Sequence, residues 1–262
     1  MHAPQYRETL FSHLYPGNTH SNPAYIPTVD TLSTFLAFSD VQKQRSILRT
    51  DSGFGCDYNL NYALDAHYQV LSKSYGGRRS ASLARKITSG NWMDLGNQRW
   101  VTPAVDPPGY NRDVQNLVLR WKTERGEIKH SVLVCSILDW SMQQVVWNYD
   151  DRAGCETEIQ ADKSGLKIEK RRKMSLAAQE ALILITDLAH NVLSWASNWM
   201  FSEGDHLATF GKTRLIEDFL AVQGRLIFDT DRLKEIQLNE LHPHADQIAT
   251  GLERLLDHFG NP

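Results

Sequence analysis

Four residues near the middle of the chain, Tyr149, Arg152, Glu156 and Lys163, follow one another at spacings of 3, 4 and 7. On a helix turning about 100° per residue they share a stripe roughly 60° wide. A phenol, a guanidinium, a carboxylate and an ammonium on one helix face do not make a core. The stripe is either a functional face or a solvated, ion-paired one, in which Arg152 and Glu156 form an i, i+4 pair that stabilises by a few tenths of a kcal/mol. A second pattern is Arg49-Thr50-Asp51-Ser52-Gly53-Phe54-Gly55. A carboxylate at the C-terminal end of a strand, followed by small residues, stands at the crevice where α/β sheets bind ligands. An Asp before a Ser-Gly turn is also ordinary turn chemistry.

Positioning these groups takes alternating strands and helices. Thr9 to Tyr15 reads as a strand and Pro16-Gly17-Asn18 as a turn. A helix is expected from Thr28, a candidate N-cap, to about Lys43, with Val29, Leu32, Leu36 and Val41 at near-helical spacing. Ser46 to Thr50 reads as a strand, Asp57 to Ala66 as a helix and Tyr68 to Lys73 as a strand, a β-α-β rhythm that implies a sheet with crossover helices. From about Gly90 to Trp147 the composition turns β-rich and carries Trp92, Trp100, Trp121, Trp140 and Trp147. Val114–Trp121 and Lys129–Leu138 flank Thr123-Glu124-Arg125-Gly126, a hairpin signal. Helical periodicity returns at Tyr149 and runs through Phe201. Leu176 to Met200, interrupted by Glu180, Asp187, His190 and Asn191, reads as a buried amphipathic helix and not a membrane span. A hairpin at Asp229-Thr230-Asp231 and a helix from Ala245 to Phe259 close the chain.

Together the two patterns resemble the DDE transposases of bacterial insertion sequences, in the branch with a Tyr-(2)-Arg-(3)-Glu-(6)-Lys signature. Tyr149, Arg152, Glu156 and Lys163 match that spacing without a gap. Asp51 in RTDSGFG is similar to the second acidic residue of the family, LYPGNTHS (14–21) to the segment before it, and LAHNVLSW (188–195) to the helix after the catalytic one. With 104 residues between Asp51 and Glu156, the spacing suits a sheet interrupted by the β insertion of this branch.

The resemblance implies an α/β, RNase H-like core at 1–89 and 148–202, a β-rich insertion at 90–147 and a small α+β region at 203–262. It implies metal-dependent phosphoryl transfer on transposon-end DNA by a homodimer, with Asp51 and Glu156 as catalytic metal ligands. Tyr149, Arg152 and Lys163 are then DNA contacts, Arg suiting bidentate phosphate binding and Lys acting as a point charge. Two Mg²⁺ or Mn²⁺ ions held by three carboxylates are the cofactors, and hard cations explain why acids, not His or Cys, build the site. One tryptophan of the insertion is expected to stack on a flipped base. The family's first acid belongs on a strand before LYPGNTHS, where Glu8 is the sole acid. Asp30 and Asp40 fall on the expected helix. The chain therefore reads as the C-terminal part of such an enzyme, begun after its first catalytic strand and inactive alone. The rival is a non-catalytic form that pairs with full-length subunits and inhibits them.

The rest of the sequence constrains this reading. The 262 residues, 41% hydrophobic and 23% charged, suit a globular protein with a sizeable core. Three cysteines, Cys56, Cys135 and Cys155, form no CxxC pair and point to a reducing compartment. With no signal peptide or membrane span expected, the location is cytoplasmic. A net charge of −3 gives no global attraction to DNA. Local basic clusters, Lys73, Arg78, Arg79, Arg85, Lys86 and then Lys167, Lys170, Arg171, Arg172, Lys173, are solvated faces or phosphate contacts. His242-Pro243-His244 reads as a loop, Gly76-Gly77 as a turn, Cys155 as a small helix residue, and Trp195 and Trp199 as core anchors.

Overall fold

A computed structural model describes residues 1–88, 91–168, 173–202 and 205–259, and only the backbone of Ala153, Gly154, Cys155, Glu156 and Glu158. The chain is mixed α/β and divides into two compact units. One joins Met1–Pro16 to Gly154–Pro262, and the other is Gly17–Ala153. The first sixteen residues carry two short antiparallel strands, β1 (His2–Ala3) and β2 (Glu8–Thr9). The strand expected over Thr9–Tyr15 is reduced to Glu8–Thr9. Within this stretch Thr9 bonds a side chain of a distant helix and Leu10 and Phe11 bond Met1, contacts that period-2 patterning cannot signal.

In the unit Gly17–Ala153, α1 (Ser21–Leu36) begins seven residues before the expected Thr28 N-cap. Thr28 lies inside it and donates its hydroxyl to the Ala24 carbonyl, so the hydroxyl that suggested a cap serves helix-internal bonding. The helix ends at Ala37 in the left-handed region, and α2 (Asp40–Gln44) restarts from a Ser39 capping box. The expected β-α-β unit is present as β3 (Ile47–Thr50), α3 (Asp57–Asp65) and β4 (Gln69–Lys73), with β3 and β4 parallel. After α4 (Gly77–Arg85) come β5 (Met93–Gly96), β6 (Arg99–Pro103), β7 (Gln115–Lys122) and β8 (Ile128–Cys135). The β7–β8 turn uses Gly126 at φ 81°, as the hairpin signal requires.

These strands form one mixed sheet in the order β3-β4-β8-β7-β6-β5. The stretch 90–147 therefore continues the sheet that holds β3 and β4, through antiparallel pairing of β8 with β4. Side-chain alternation gives the sheet two apolar faces. Leu71, Leu117, Leu119 and Leu133 pack with Val145 and Val146 of α5 (Met142–Asp150). Val118 and Val132 pack with Leu83 of α4 on the opposite face.

The other unit carries α6 (Ala153–Gly165), α7 (Leu176–Met200), the short helix α8 (Lys212–Arg214) leading into a π-helical turn at Leu215–Leu220, the hairpin β9 (Gly224–Asp229) and β10 (Arg232–Leu238), and α9 (Ala245–Phe259). Met200, Phe201, Leu207, Phe210, Leu215, Phe219 and Ile248 form its core. Helix α7 reverses the expected pattern. It buries Thr186, His190, Ser194 and Ser197, while Leu184, Ile185, Leu188 and Val192 are 48–65% exposed.

The reason is the N-terminal strap. Arg7, at φ 55°, turns its carbonyl toward α7, where it accepts from Ser194 Oγ at 2.9 Å and faces His190 Nε2 at 2.9 Å. Asn191 pairs with both backbone groups of Thr9, each at 2.8 Å. Trp195 Nε1 donates to Glu8 Oε1 at 2.7 Å, and Ser12 Oγ donates to Asp187 Oδ1 at 3.0 Å. Asp187, His190, Asn191, Ser194 and Trp195 recur at helical spacing, so α7 presents one polar stripe to an extended backbone. No helix among the described residues is long and apolar enough to cross a membrane.

Candidate functional site

The expected single helix over the signature is broken. Tyr149 sits near the end of α5, Arg152 lies in the two-residue step after it, and Glu156 and Lys163 are on α6. Asp151 closes α5 by donating its N–H to the Trp147 and Tyr149 carbonyls, which uses up the last turn. Tyr149 and Arg152 thus belong to the unit that holds Asp51, whereas Glu156 and Lys163 belong to the other. The side chain of Glu156, and with it the expected Arg152–Glu156 pair, lies outside the described residues, as does that of Cys155. Lys163 is exposed.

Within its own unit, Asp51 follows the C-terminal residue of β3, at the end of a parallel strand pair. Both readings of the RTDSGFG turn hold at once. Asp51 Oδ1 accepts the Gly53 N–H at 2.8 Å, closing an Asx-type turn. Its second oxygen has no partner among the described residues, and the side chain is exposed. Gly55 is required here, while Gly53 is crowded only by side-chain atoms. A Cβ on Gly53 would lie 2.7 Å from Ser21 Oγ, and one on Gly55 would lie 1.9 Å from the Lys73 carbonyl oxygen. The close passage of Gly55 over β4 turns the loop back beside Asp51.

Tyr149 and Arg152 stand in contact, and the charge of Asp51 reaches the phenol. The Tyr149 ring packs against the apolar face beneath α5. Burial raises its phenol pKa above the usual tyrosine value, Arg152 opposes that shift, and the charges of Asp51 and Asp150 add to it. Tyr149 therefore keeps its proton at neutral pH as a hydrogen-bond donor. The Arg152 guanidinium lies 5.6 Å from the Tyr149 ring centroid and hydrogen-bonds the phenol.

The sequence reading treated Lys73 as part of a basic cluster and did not assign it to this site. Parallel register pairs Thr50 with Ser72, so Lys73 is the next residue beside Asp51. Its ammonium stands 5.6 Å from the Trp121 ring centroid. Placing the last residues of both strands of the β-α-β unit side by side would have found it. The other cations are committed. Arg99 grips Asp150 through two bonds of 2.6 and 3.1 Å, and Arg49 donates to the Asn148 carbonyl at 2.8 Å with Asp151 at 3.7 Å. Of the first basic cluster, Arg79 binds Asp57 at 2.7 Å and Lys86 faces Asp106 at 3.8 Å. In the second, Lys170, Arg171 and Arg172 lie outside the described residues.

Among the tryptophans, Trp92 and Trp100 sandwich Arg120 at 4.2 and 4.7 Å on the α4 face, and Trp121 is the ring beside the Lys73 ammonium. Trp195 and Trp199 are half-buried, their rings tilted at 33° with centroids 6.3 Å apart. His242 and His244 bond within their loop.

The expected Mg²⁺ or Mn²⁺ ions need several oxygen ligands each. With Asp150 held by Arg99 and Asp151 beside Arg49, Asp51 is, among the described residues, the carboxylate of this cluster that faces no cation at ion-pair distance, and it does not fit a two-ion clamp alone. No group of three or more metal-ligating side chains occurs among the described residues. No protein-family model and no curated protein matches the chain.

Proposed function

We propose that this protein is a DNA-binding chain of the DDE transposase class, built on an RNase H-like sheet, that engages transposon-end phosphates at the C-terminal ends of β3 and β4. The observation that supports the reading is the Tyr149–Arg152 contact within electrostatic reach of Asp51, about a hundred residues earlier in sequence, with Lys73 following the last register pair of β3 and β4. A protonated phenol, a guanidinium and an ammonium suit a phosphate, the ammonium as a point charge. An indole beside them offers a stacking surface. Glu156 and Lys163 are read by resemblance as a metal ligand and a further phosphate contact. A homodimer on paired ends in the bacterial cytoplasm, with Mg²⁺ or Mn²⁺ as cofactor, completes the proposal.

Fluorescence anisotropy with a labelled DNA duplex tests it. Arg152→Ala and Lys73→Ala should each weaken binding and lower the salt slope by about 1. Unchanged affinity and slope in the double variant would refute phosphate binding at this site. A second reading, binding without cutting and inhibition of a complete enzyme, is favoured by Asp51 being the one carboxylate of its cluster, among the described residues, without an ion-pair partner. The two separate on supercoiled plasmid with Mg²⁺ or Mn²⁺. Nicking supports the enzyme, and intact plasmid with DNA still bound supports the inhibitor.

A further inference from the structure

His190 is 1% exposed, and both of its ring nitrogens face acceptors. Nδ1 lies 2.7 Å from Asp162 Oδ1 on α6, and Nε2 lies 2.9 Å from the Arg7 carbonyl of the strap. A carbonyl accepts only, and an ionised carboxylate accepts only. A neutral imidazole has one N–H, so one of these two contacts would bring lone pairs together. The pair is therefore satisfied only when it carries one proton more than a neutral imidazole beside an ionised carboxylate. Either His190 is the imidazolium or Asp162 is the acid. The Arg7 carbonyl has its second lone pair filled by Ser194, whose own oxygen accepts from Lys212, so no rotation of that hydroxyl can relieve His190.

We propose that His190 and Asp162 share one proton that clasps the N-terminal strap onto α7, holding it while that proton is retained and releasing it as the proton is lost. The other groups facing this centre are the His2 ring, edge-on at 5.8 Å, Asp187 one turn earlier on α7, the N-terminal amine acting on Asp187, and Lys212 through Ser194. Because the retained proton stabilises the docked state, docking is strongest at low pH and weakens as pH rises. His190 also ties α6, the helix of Glu156 and Lys163, to α7. It is thus a positioning residue independent of whether this protein binds DNA.

Asp162→Asn separates a proton clasp from simple packing. An amide at 162 can donate to Nδ1 of a neutral ring whose Nε2–H still bonds Arg7, so this variant should keep the strap docked at every pH. Tryptic cleavage after Arg7, normalised to a free peptide of residues 1–16, reports release, because Arg7 donates to the Ala208 carbonyl when docked. From neutral to alkaline pH the wild-type rate should rise severalfold, and at most tenfold per unit for one proton. Asp162→Asn should be slow and flat, His190→Gln fast throughout, and His2→Gln like wild type. Nitrogen NMR of labelled histidine adds a readout that folding defects do not mimic. It should show a change at His190 over the same range in wild type and none in Asp162→Asn. A pH slope that survives in Asp162→Asn or vanishes in His2→Gln would overturn the proposal, as would a wild-type strap equally docked at both pH values.

Discussion

The sheet unit and helix α7 bury opposite kinds of surface. On β7 and β8, leucines and valines alternate to opposite faces, and each face meets a helix that offers matching apolar side chains. Helix α7 turns inward its polar stripe, from Asp187 to Trp195, and leaves Leu184, Ile185, Leu188 and Val192 in solvent. The difference follows from the partner. A strand in a ladder satisfies its own backbone, so its neighbour may be apolar. An extended strap outside any broad sheet cannot, so the helix beside it must supply donors and acceptors. Hydrophobic periodicity locates a core only where backbone bonding is already closed.

The largest expected contrast is between core leucines and the exposed apolar face of α7. Leu133→Ala, at a fully buried position of β8, should cost about 2–5 kcal/mol in denaturant unfolding. Ile185→Gln, on a side chain 65% exposed, should change stability by no more than about 0.5 kcal/mol. Comparable losses would erase the distinction, because the α7 leucines would then be covered in the working molecule. Next comes Gly55→Ala, where a Cβ 1.9 Å from the Lys73 carbonyl forces backbone to move and should cost about 3 kcal/mol. Gly17→Ala, with open space around its Cβ, is the control. Asn191→Ala should follow at about 1–2 kcal/mol, since it strips partners from the half-buried Thr9 N–H and carbonyl. Loss of protection at the Thr9 amide in hydrogen exchange would place the damage at the strap.

The same contrast explains what could be read from the sequence. The β3-α3-β4 unit, the β7–β8 hairpin and the last helix follow local patterning and turn glycines, and they lie near their expected bounds. Asp51 was found because a strand end and a Gly-rich turn are local signals. The strap was not, because Thr9 and Asn191 are 182 positions apart and their bonds involve backbone that any sequence possesses. The break between α5 and α6 was hidden as well. Tyr149, Arg152 and Glu156 keep helical spacing through it, while Asp151 caps one helix and Ala153 starts the next. Nothing in residue spacing distinguishes a continuous helix from two separated by a single tight step.

The smallest effect sharpens the comparison most, because it reads the polar stripe through one carboxyl group. Asp187 Oδ1 accepts from Ser12, but Oδ2 is buried with no hydrogen-bond partner among the described residues. Burial raises the Asp187 pKa above the ordinary value of 3.8, while Ser12, the N-terminal amine and His190 pull the other way and Asp162 adds to the rise. A raised folded pKa means the protonated acid is the better-fitting form. Its stabilising contribution is complete below the unfolded aspartate range and is lost as pH climbs through the raised value. Asp187→Asn keeps an acceptor for Ser12 and removes the ionisation. Unfolding midpoints should therefore favour the wild type least, relative to Asp187→Asn, above the aspartate range, with the gap closing toward pH 3. A gap of opposite sign would mean that the ionised carboxylate is better held than its burial allows, and that α7 binds the strap through charge as well as through hydrogen bonds.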